Sequence, residues 1–475
     1  MKLLLVIFTL FISISYANIH LSLEDALRQT LNNDFNLKLA KIETQISKTS
    51  IKKENAKFEP TVDINTLRSS DKSSPTIDMK TSSYSANFKN RFNTGTTATL
   101  SYTHNETLYD RGSDSFNSAT SLKLEQEILR GLGRGYNLTN LNVAKKRYEF
   151  LTQDLIKQKI QTVYNLQLVY WSYLKSYEEL RIRKESLELS IRLLEQKSKE
   201  VKFGAYAKIN LLEIEADVLS KRRQISVTKQ KLNSSKIELL RTMNAPLTWY
   251  SKKIIPTQKV AINDNNYTED SLMQQALSNR QDYIKAKLNI DINDILKRYN
   301  KERLKPALTL SGSVTNNNPT LIKDGYNALD TFSHKGWLIA LNFNYELFNN
   351  SAKAEHEKAS LSLQKTKTQL AQLTNDIHAQ ILDAKNSLDF SKKIAHLTVT
   401  EYKQQQKVLE AEKLKLQSGM SNIRDYLFNQ NALILSELSL IGNKIAFVKA
   451  EASLYKTVGI IPPRFINILG DKNAK

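Results

Sequence analysis

Two stretches of helical pattern, each about a hundred residues long and free of proline, decide what this chain can become. The first covers residues 138–244 and holds one glycine, Gly204. Within it Ala144, Tyr148, Leu151 and Leu155 fall four, three and four residues apart, which places them on one helix face. At 1.5 Å per residue, the run as far as Phe203 would be roughly 100 Å long, more than a single globular core can bury. Beyond Gly204 the pattern restarts at Ile209, Leu212 and Ala216, so the glycine marks a hairpin tip. The second stretch, 351–458, does the same and turns at Gly419.

The hairpins are the largest part of a longer duplication. Glu24-Asp-Ala-Leu answers to Glu269-Asp-Ser-Leu, Ile46 to Ile292 and Pro60 to Pro306, at an offset of 245 to 246 residues. A repeat of that length is not a solenoid; it implies two similar halves side by side. The boundaries expected from it are 1–17 for a signal peptide and 18–244 for the first half. A linker follows at 245–268, then the second half at 269–459 and a tail at 460–475. The leader is read from Lys2, the apolar run 3–14 and the small residues around Ala17. No other apolar run approaches the twenty residues of a spanning helix, so a membrane role would need a β-barrel.

Each half carries period-two pattern between its proline and its long helix. The clearest case is 337–347, where Trp337, Ile339, Leu341, Phe343, Tyr345 and Leu347 alternate with polar or small residues; 308–314 is its partner. In the first half 62–67, 84–92, 98–104 and 122–128 alternate as well. The polar stretches 69–82 and 105–117 read as long loops, and Asn93-Thr-Gly95 as a tight turn. Strands of about ten residues with one apolar and one polar face suit a barrel around a wet lumen. Helices flank the strands on both sides, so each half must cross an even number of times: two in the second half, and two or four in the first.

Ordered along the chain, these pieces resemble the TolC family of outer-membrane efflux proteins over nearly the whole mature length. The resemblance rests on Leu23-Glu-Asp-Ala-Leu27, Pro60 and Pro306, Gln126-Glu-Ile-Leu-Arg-Gly-Leu-Gly133 and Val169-Tyr-Trp-Ser-Tyr-Leu174. Phe203-Gly204, Ser418-Gly419 and Leu454-Tyr-Lys-Thr-Val-Gly459 complete it. It implies an α+β membrane protein, a homotrimer with one shared outer-membrane β-barrel continued by a long periplasmic α-helical coiled-coil barrel. It implies a passive duct of a tripartite efflux or type I secretion system, surrounded by outer-membrane lipid. Its partners would be a periplasmic adaptor (membrane fusion) protein and an inner-membrane pump or ABC transporter. Gating and docking would fall to the hairpin tips: Gly204, Asn210, Gly419, Ser421, Arg424 and Asp425. Phe428 stands where the family can carry a second gating acid. Trp337, Phe343 and Tyr345 would be membrane-facing aromatics.

The residues add what the resemblance does not. Leu438, Ile441, Ile445, Val448, Ala452 and Tyr455 form a heptad seam, and Leu370, Leu373, Ile377, Ile381, Ala384 and Leu388 nearly repeat it. With no cysteine, the chain has no disulfide, thiolate metal site or cysteine nucleophile. Its net charge of +21 comes from lysines and arginines set among acids, as in Arg181-Ile-Arg-Lys-Glu185, which is a solvated helix face and not a nucleic-acid footprint. Six scattered histidines show no metal spacing. Arg130-Gly-Leu-Gly-Arg-Gly135 lacks the Lys-Ser/Thr of a phosphate loop and reads as a flexible strand-to-helix turn. No metal, cofactor or catalytic constellation is expected. The alternative reading is a secreted basic coiled-coil structural protein that binds acidic polymers or the cell surface. It leaves the duplicated alternating segments unexplained.

Overall fold

A computed structural model describes residues 18–74, 77–204, 207–263, 265–320 and 334–469. The signal-peptide reading at 1–17 lies outside these, as does the end of the tail. The chain divides into two compact units. Unit 1 comprises 1–41, 154–281 and 374–475, and unit 2 comprises 42–153 and 282–373.

In chain order the structure opens with strand β1 (Ile19–Leu21) and helices α1 (Leu23–Asn33) and α2 (Phe35–Asn55). Four strands follow: β2 (Thr61–Ser74), β3 (Ile77–Arg91), β4 (Thr96–Tyr109) and β5 (Ser115–Glu127). A single turn, α3 (Arg134–Asn137), leads into the first hairpin, α4 (Thr139–Lys202) and α5 (Lys208–Thr242). The second half repeats the scheme with β6 (Ile254–Pro256), α6 (Glu269–Asn279), α7 (Gln281–Glu302), β7 (Ala307–Thr320) and β8 (His334–Asn344). It closes with α8 (Asn350–Gln417) and α9 (Ile423–Val458). The repeat extends to local geometry. Asp34 and Arg280, 246 residues apart, both break a helix in extended conformation, and each donates its N–H to the carbonyl four residues back.

In unit 1, β1 pairs in parallel with β6. The pair is held from α4, where the Tyr170 hydroxyl donates to the Leu21 carbonyl at 2.9 Å and the Tyr173 hydroxyl to that of Ile254 at 2.7 Å. Trp171 is buried beside them, so this aromatic cluster packs the fold. Burial raises the Tyr170 hydroxyl to about 12, which keeps it a neutral donor. The second heptad seam is buried within the chain from Ile377 through Leu388, and the first at Ile445, Val448 and Ala452. Helix α9 corrects one expectation. By length and composition it is apolar enough to cross a membrane. Ser436, Glu437, Asn443 and Lys444 interrupt its apolar run, which hides this from a count of consecutive apolar residues. It packs against both α5 and α6, a use for apolar surface on more than one side.

In unit 2, six strands form one antiparallel sheet in the order β2-β3-β4-β5-β7-β8. The first half therefore supplies four strands and the second two. The presumed loops 69–82 and 105–117 are largely strand, since β2 continues to Ser74 and β3 starts at Ile77, while β4 reaches Tyr109 and β5 starts at Ser115. Their Ser, Thr, Asn and Lys residues carry no apolar alternation, but pairing with the neighbouring strand continues through most of them, as in Ser70 with Lys80 and Asn105 with Asn117. Conversely β8 ends at Asn344, so Tyr345 and Leu347 lie beyond the strand.

The glycine-rich stretch 130–135 is a defined turn. Asn137 Nδ2 donates to the carbonyls of Gly131 at 2.7 Å and Gly133 at 2.9 Å, while Arg91 donates to Asn137 Oδ1 at 3.0 Å. The β3–β4 turn closes on it through Gly133 N to Thr94 O at 2.9 Å. Gly95 sits there at φ +90°, and a Cβ on it would stand 2.5 Å from the Gly131 carbonyl oxygen. Gly95→Ala should therefore cost the sheet on the order of 1–3 kcal/mol from backbone strain, with the clash added. Gly133→Ala, strained in φ but free of neighbours, should cost less. The temperature at which the folded protein unfolds in a denaturing gel measures both.

Candidate functional site

Two regions carry chemistry. The first is the face of the sheet. Strand register aligns Val62, Phe88, Leu100, Leu122, Val314 and Trp337 in one unbroken row across all six strands. Adjacent rows on the same face hold Ala98, Leu124 and Ile339, then Leu310 with Leu341 and Leu308 with Phe343. Further along the strands the face turns to Tyr102, His104, Glu106 and Lys335. The opposite face reads Asp63, Asn87, Ser101, Ser121 and Thr315 in the equivalent row. The members of the apolar row are between 46% and 78% exposed, so nothing among the described residues covers them. A sheet with one exposed apolar face and one polar face is suited to lipid against the first and water against the second. Trp337 and Phe343 belong to this face. Tyr345 is exposed past the strand end.

The polar face does not carry the chain's cationic excess. Lys89, Arg91 and Lys123 stand against Asp63, Asp71, Glu125 and Glu127, and Lys123 is paired with Glu125 at 2.7 Å.

The second region is at the hairpin tips, which lie within unit 1. Gly204 and Gly419 both adopt left-handed conformations, at φ +74° and +76°, directly after helices α4 and α8. Asn210 falls in the first turn of α5. Ile214, Ile423 and Leu427 form a buried cluster, with Leu193, Leu194, Leu416 and Tyr426 packed on it, so all four long helices meet there. Arg424 crosses between the hairpins to Glu213 at 2.6 Å, and the carboxylate raises the guanidinium pKa further. Ser421 donates to Glu412.

Asp425 has a local role that the sequence analysis missed. Its N–H donates to Asn422 Oδ1 at 2.9 Å, and Asn422 Nδ2 donates back to its carboxylate at 2.9 Å. That is a reciprocal cap on the first turn of α9. Phe428, one turn on, is exposed, as are Phe203, Ile209, Leu212 and Met420.

Behind the tips lies a group that sequence alone did not single out. Lys221 is almost fully buried and pairs with Asp217 at 2.8 Å; it also donates to Ser190 Oγ at 2.6 Å and Gln430 Oε1 at 3.1 Å. Ser190 in turn donates to Asp217 at 2.7 Å. Burial pulls the ammonium below the usual lysine range while the aspartate opposes the shift. Among the described residues there is no group of three or more side chains fit to hold a metal ion.

Comparison with known proteins agrees with this architecture. Residues 272–460 match the family described as outer membrane efflux protein. The chain is 22% identical over 351 residues to the pyoverdine export outer membrane protein OpmQ of Pseudomonas aeruginosa, covering 73% of this chain and 70% of that one. Its fold is similar to the CmeC outer membrane channel of Campylobacter jejuni, with a TM-score of 0.67 and 16% identity over 92% of this chain and 85% of that one. It is similar as well to the outer membrane protein VceC of Vibrio cholerae, with a TM-score of 0.65 and 13% identity over 92% and 96%.

Proposed function

We propose that this chain, a member of the TolC family of outer-membrane efflux proteins, works as a homotrimeric duct that carries cargo through the outer membrane without an energy source of its own. The observation that carries the reading is the unbroken apolar row on an uncovered sheet face, continued in the same chain by two long helical hairpins.

Strands β2 and β8 are open edges, a liability in any protein that leaves them unpaired. Six strands cannot close around a wet lumen, and an even number makes β8 of one protomer antiparallel to β2 of the next. Three copies then share one barrel of eighteen strands, in the size class that leaves an aqueous channel. The secreted-rod alternative would leave the whole apolar face in water.

The tips are where the duct closes and where an adaptor docks, with the pump behind it supplying the energy. The exposed side chains of Phe203, Ile209, Leu212 and Met420 give an adaptor helix an apolar surface, rimmed by polar residues of the two turns. Opening requires the hairpins to part, and the Arg424–Glu213 pair is one of the contacts between them that must yield, with the Ile214–Ile423–Leu427 cluster behind it.

Asp425 both caps α9 and presents charge at the closed end. Asp425→Asn keeps an acceptor for Asn422 and removes the charge, whereas Asp425→Ala removes both, at about 1 kcal/mol of helix start. In planar bilayers both variants should raise closed-state conductance and relieve block by multivalent cations added on the tip side. Unchanged conductance and block in Asp425→Asn would take the carboxylate out of the gate.

A further inference from the structure

Between α4, α5 and the segment entering β6 lies a cavity of about 340 Å³, wholly within unit 1. That is within the size range of small-ligand sites. Its floor is apolar and aromatic, made by Tyr173, Tyr177, Leu232 and Ile254. The floor is preformed, because the Tyr173 hydroxyl is tied to the Ile254 carbonyl at 2.7 Å.

The wall has a different character. Of eleven lining residues five are cations, namely Arg181, Lys184, Lys229, Lys236 and Lys253, and none is an acid. That exceeds the ratio of the whole chain, which has 69 basic and 48 acidic residues. Arg181 is already neutralised by Glu178 at 2.7 Å and Glu185 at 2.9 Å, both outside the cavity lining. Lys236 is half-buried and donates to the Tyr250 carbonyl at 2.5 Å, a neutral partner that leaves its charge uncompensated. Lys184, Lys229 and Lys253 are exposed and make no ion pair among the described residues. Four lysines, with no acid among the lining residues, give one concave, partly apolar surface a local excess of positive charge, which an anion placed among them would offset.

We propose that this cavity binds a small amphipathic anion, a carboxylate, sulfonate or phosphate borne on an aromatic or short alkyl body. The body lies on Tyr177 and Leu232, and the anionic group meets Lys229 and Lys253 across the mouth. The lysine stems cover the edges of the body while their heads stay at the charge. The site is separate from the tips and from the sheet face, and does not depend on their role in transport.

The test is calorimetric titration of the full mature protein in neutral detergent with three probes: 1-naphthoate, inorganic phosphate and 1-naphthylmethylammonium. The expected result is saturable binding of naphthoate at one site per chain, with the other two probes at least tenfold weaker. Lys229→Gln with Lys253→Gln, both at exposed positions, should keep the circular dichroism of the parent and weaken naphthoate at least tenfold. Raising the salt from 0.15 to 1 M, which shortens the screening length from about 8 to about 3 Å, should weaken it severalfold. Absence of saturable naphthoate binding, or binding unchanged in the double variant, would overturn the proposal. So would phosphate or the naphthyl cation binding as tightly as naphthoate.

Discussion

Asp217→Ala should be the most damaging single change in the helical hairpins, at about 3–5 kcal/mol. Its partner Lys221 has only 5% of its side chain exposed, and Asp217 itself 10%. Removing the carboxylate strands an ammonium whose remaining partners, Ser190 and Gln430, are neutral. The helices must then open to let in water, or the lysine must give up its proton. Amide exchange in the segments around Ser190, Lys221 and Gln430 should quicken by about two to four powers of ten, at 1.36 kcal/mol per tenfold. Glu188→Ala is the control. It removes a surface pair with Arg192, in which both side chains are more than 60% exposed, and should change exchange little. A double replacement, Lys221→Met with Asp217→Leu, should recover most of the loss, because two apolar side chains of similar volume leave no buried charge. If Asp217→Ala exchanges like the parent, the pair does not hold this junction together.

The second large effect tests which way the sheet faces. Leu122 is in the middle of the apolar row, on a strand with neighbours on both sides. Leu122→Arg should cost roughly 2–4 kcal/mol if that position lies near the bilayer midplane, and should sharply reduce the folded protein recovered from outer membranes. Ser121→Arg, one residue away on the polar face, should be tolerated and change conductance instead. A reversed pair of outcomes would put lipid on the face with Asp63 and Asn87, which contradicts the barrel account.

How much of this was readable beforehand follows from how far each signal travels along the chain. Hairpins and their tips were legible because helical period and glycine breaks are local, and Gly204 and Gly419 turn the chain where expected. The apolar strand cores were legible for the same reason. Their polar ends were not, since Ser, Thr and Asn at 69–74, 77–82 and 105–109 look alike in loop and strand. Only cross-strand pairing, such as Ser70 with Lys80 or Asn105 with Asn117, decides between them.

The cap at the start of α9 was readable and overlooked, because Asn422 followed three residues later by Asp425 is a helix-start pattern. The Lys221 group lay beyond reach of any such pattern. Gln430 is 209 residues from its lysine, and in sequence Lys221 resembles the many solvated lysines of the same helices. The same applies to the cationic cavity, whose lysines lie on α4, on α5 and in the segment before β6.

The most direct test of the central claim is single-particle imaging of the mature protein extracted from membranes in detergent. The account predicts a hollow particle with three-fold symmetry and one barrel of eighteen strands, in which β8 of each protomer pairs with β2 of the next. A protein that stays soluble without detergent, or one in which these two edges remain unpaired between copies, would contradict it.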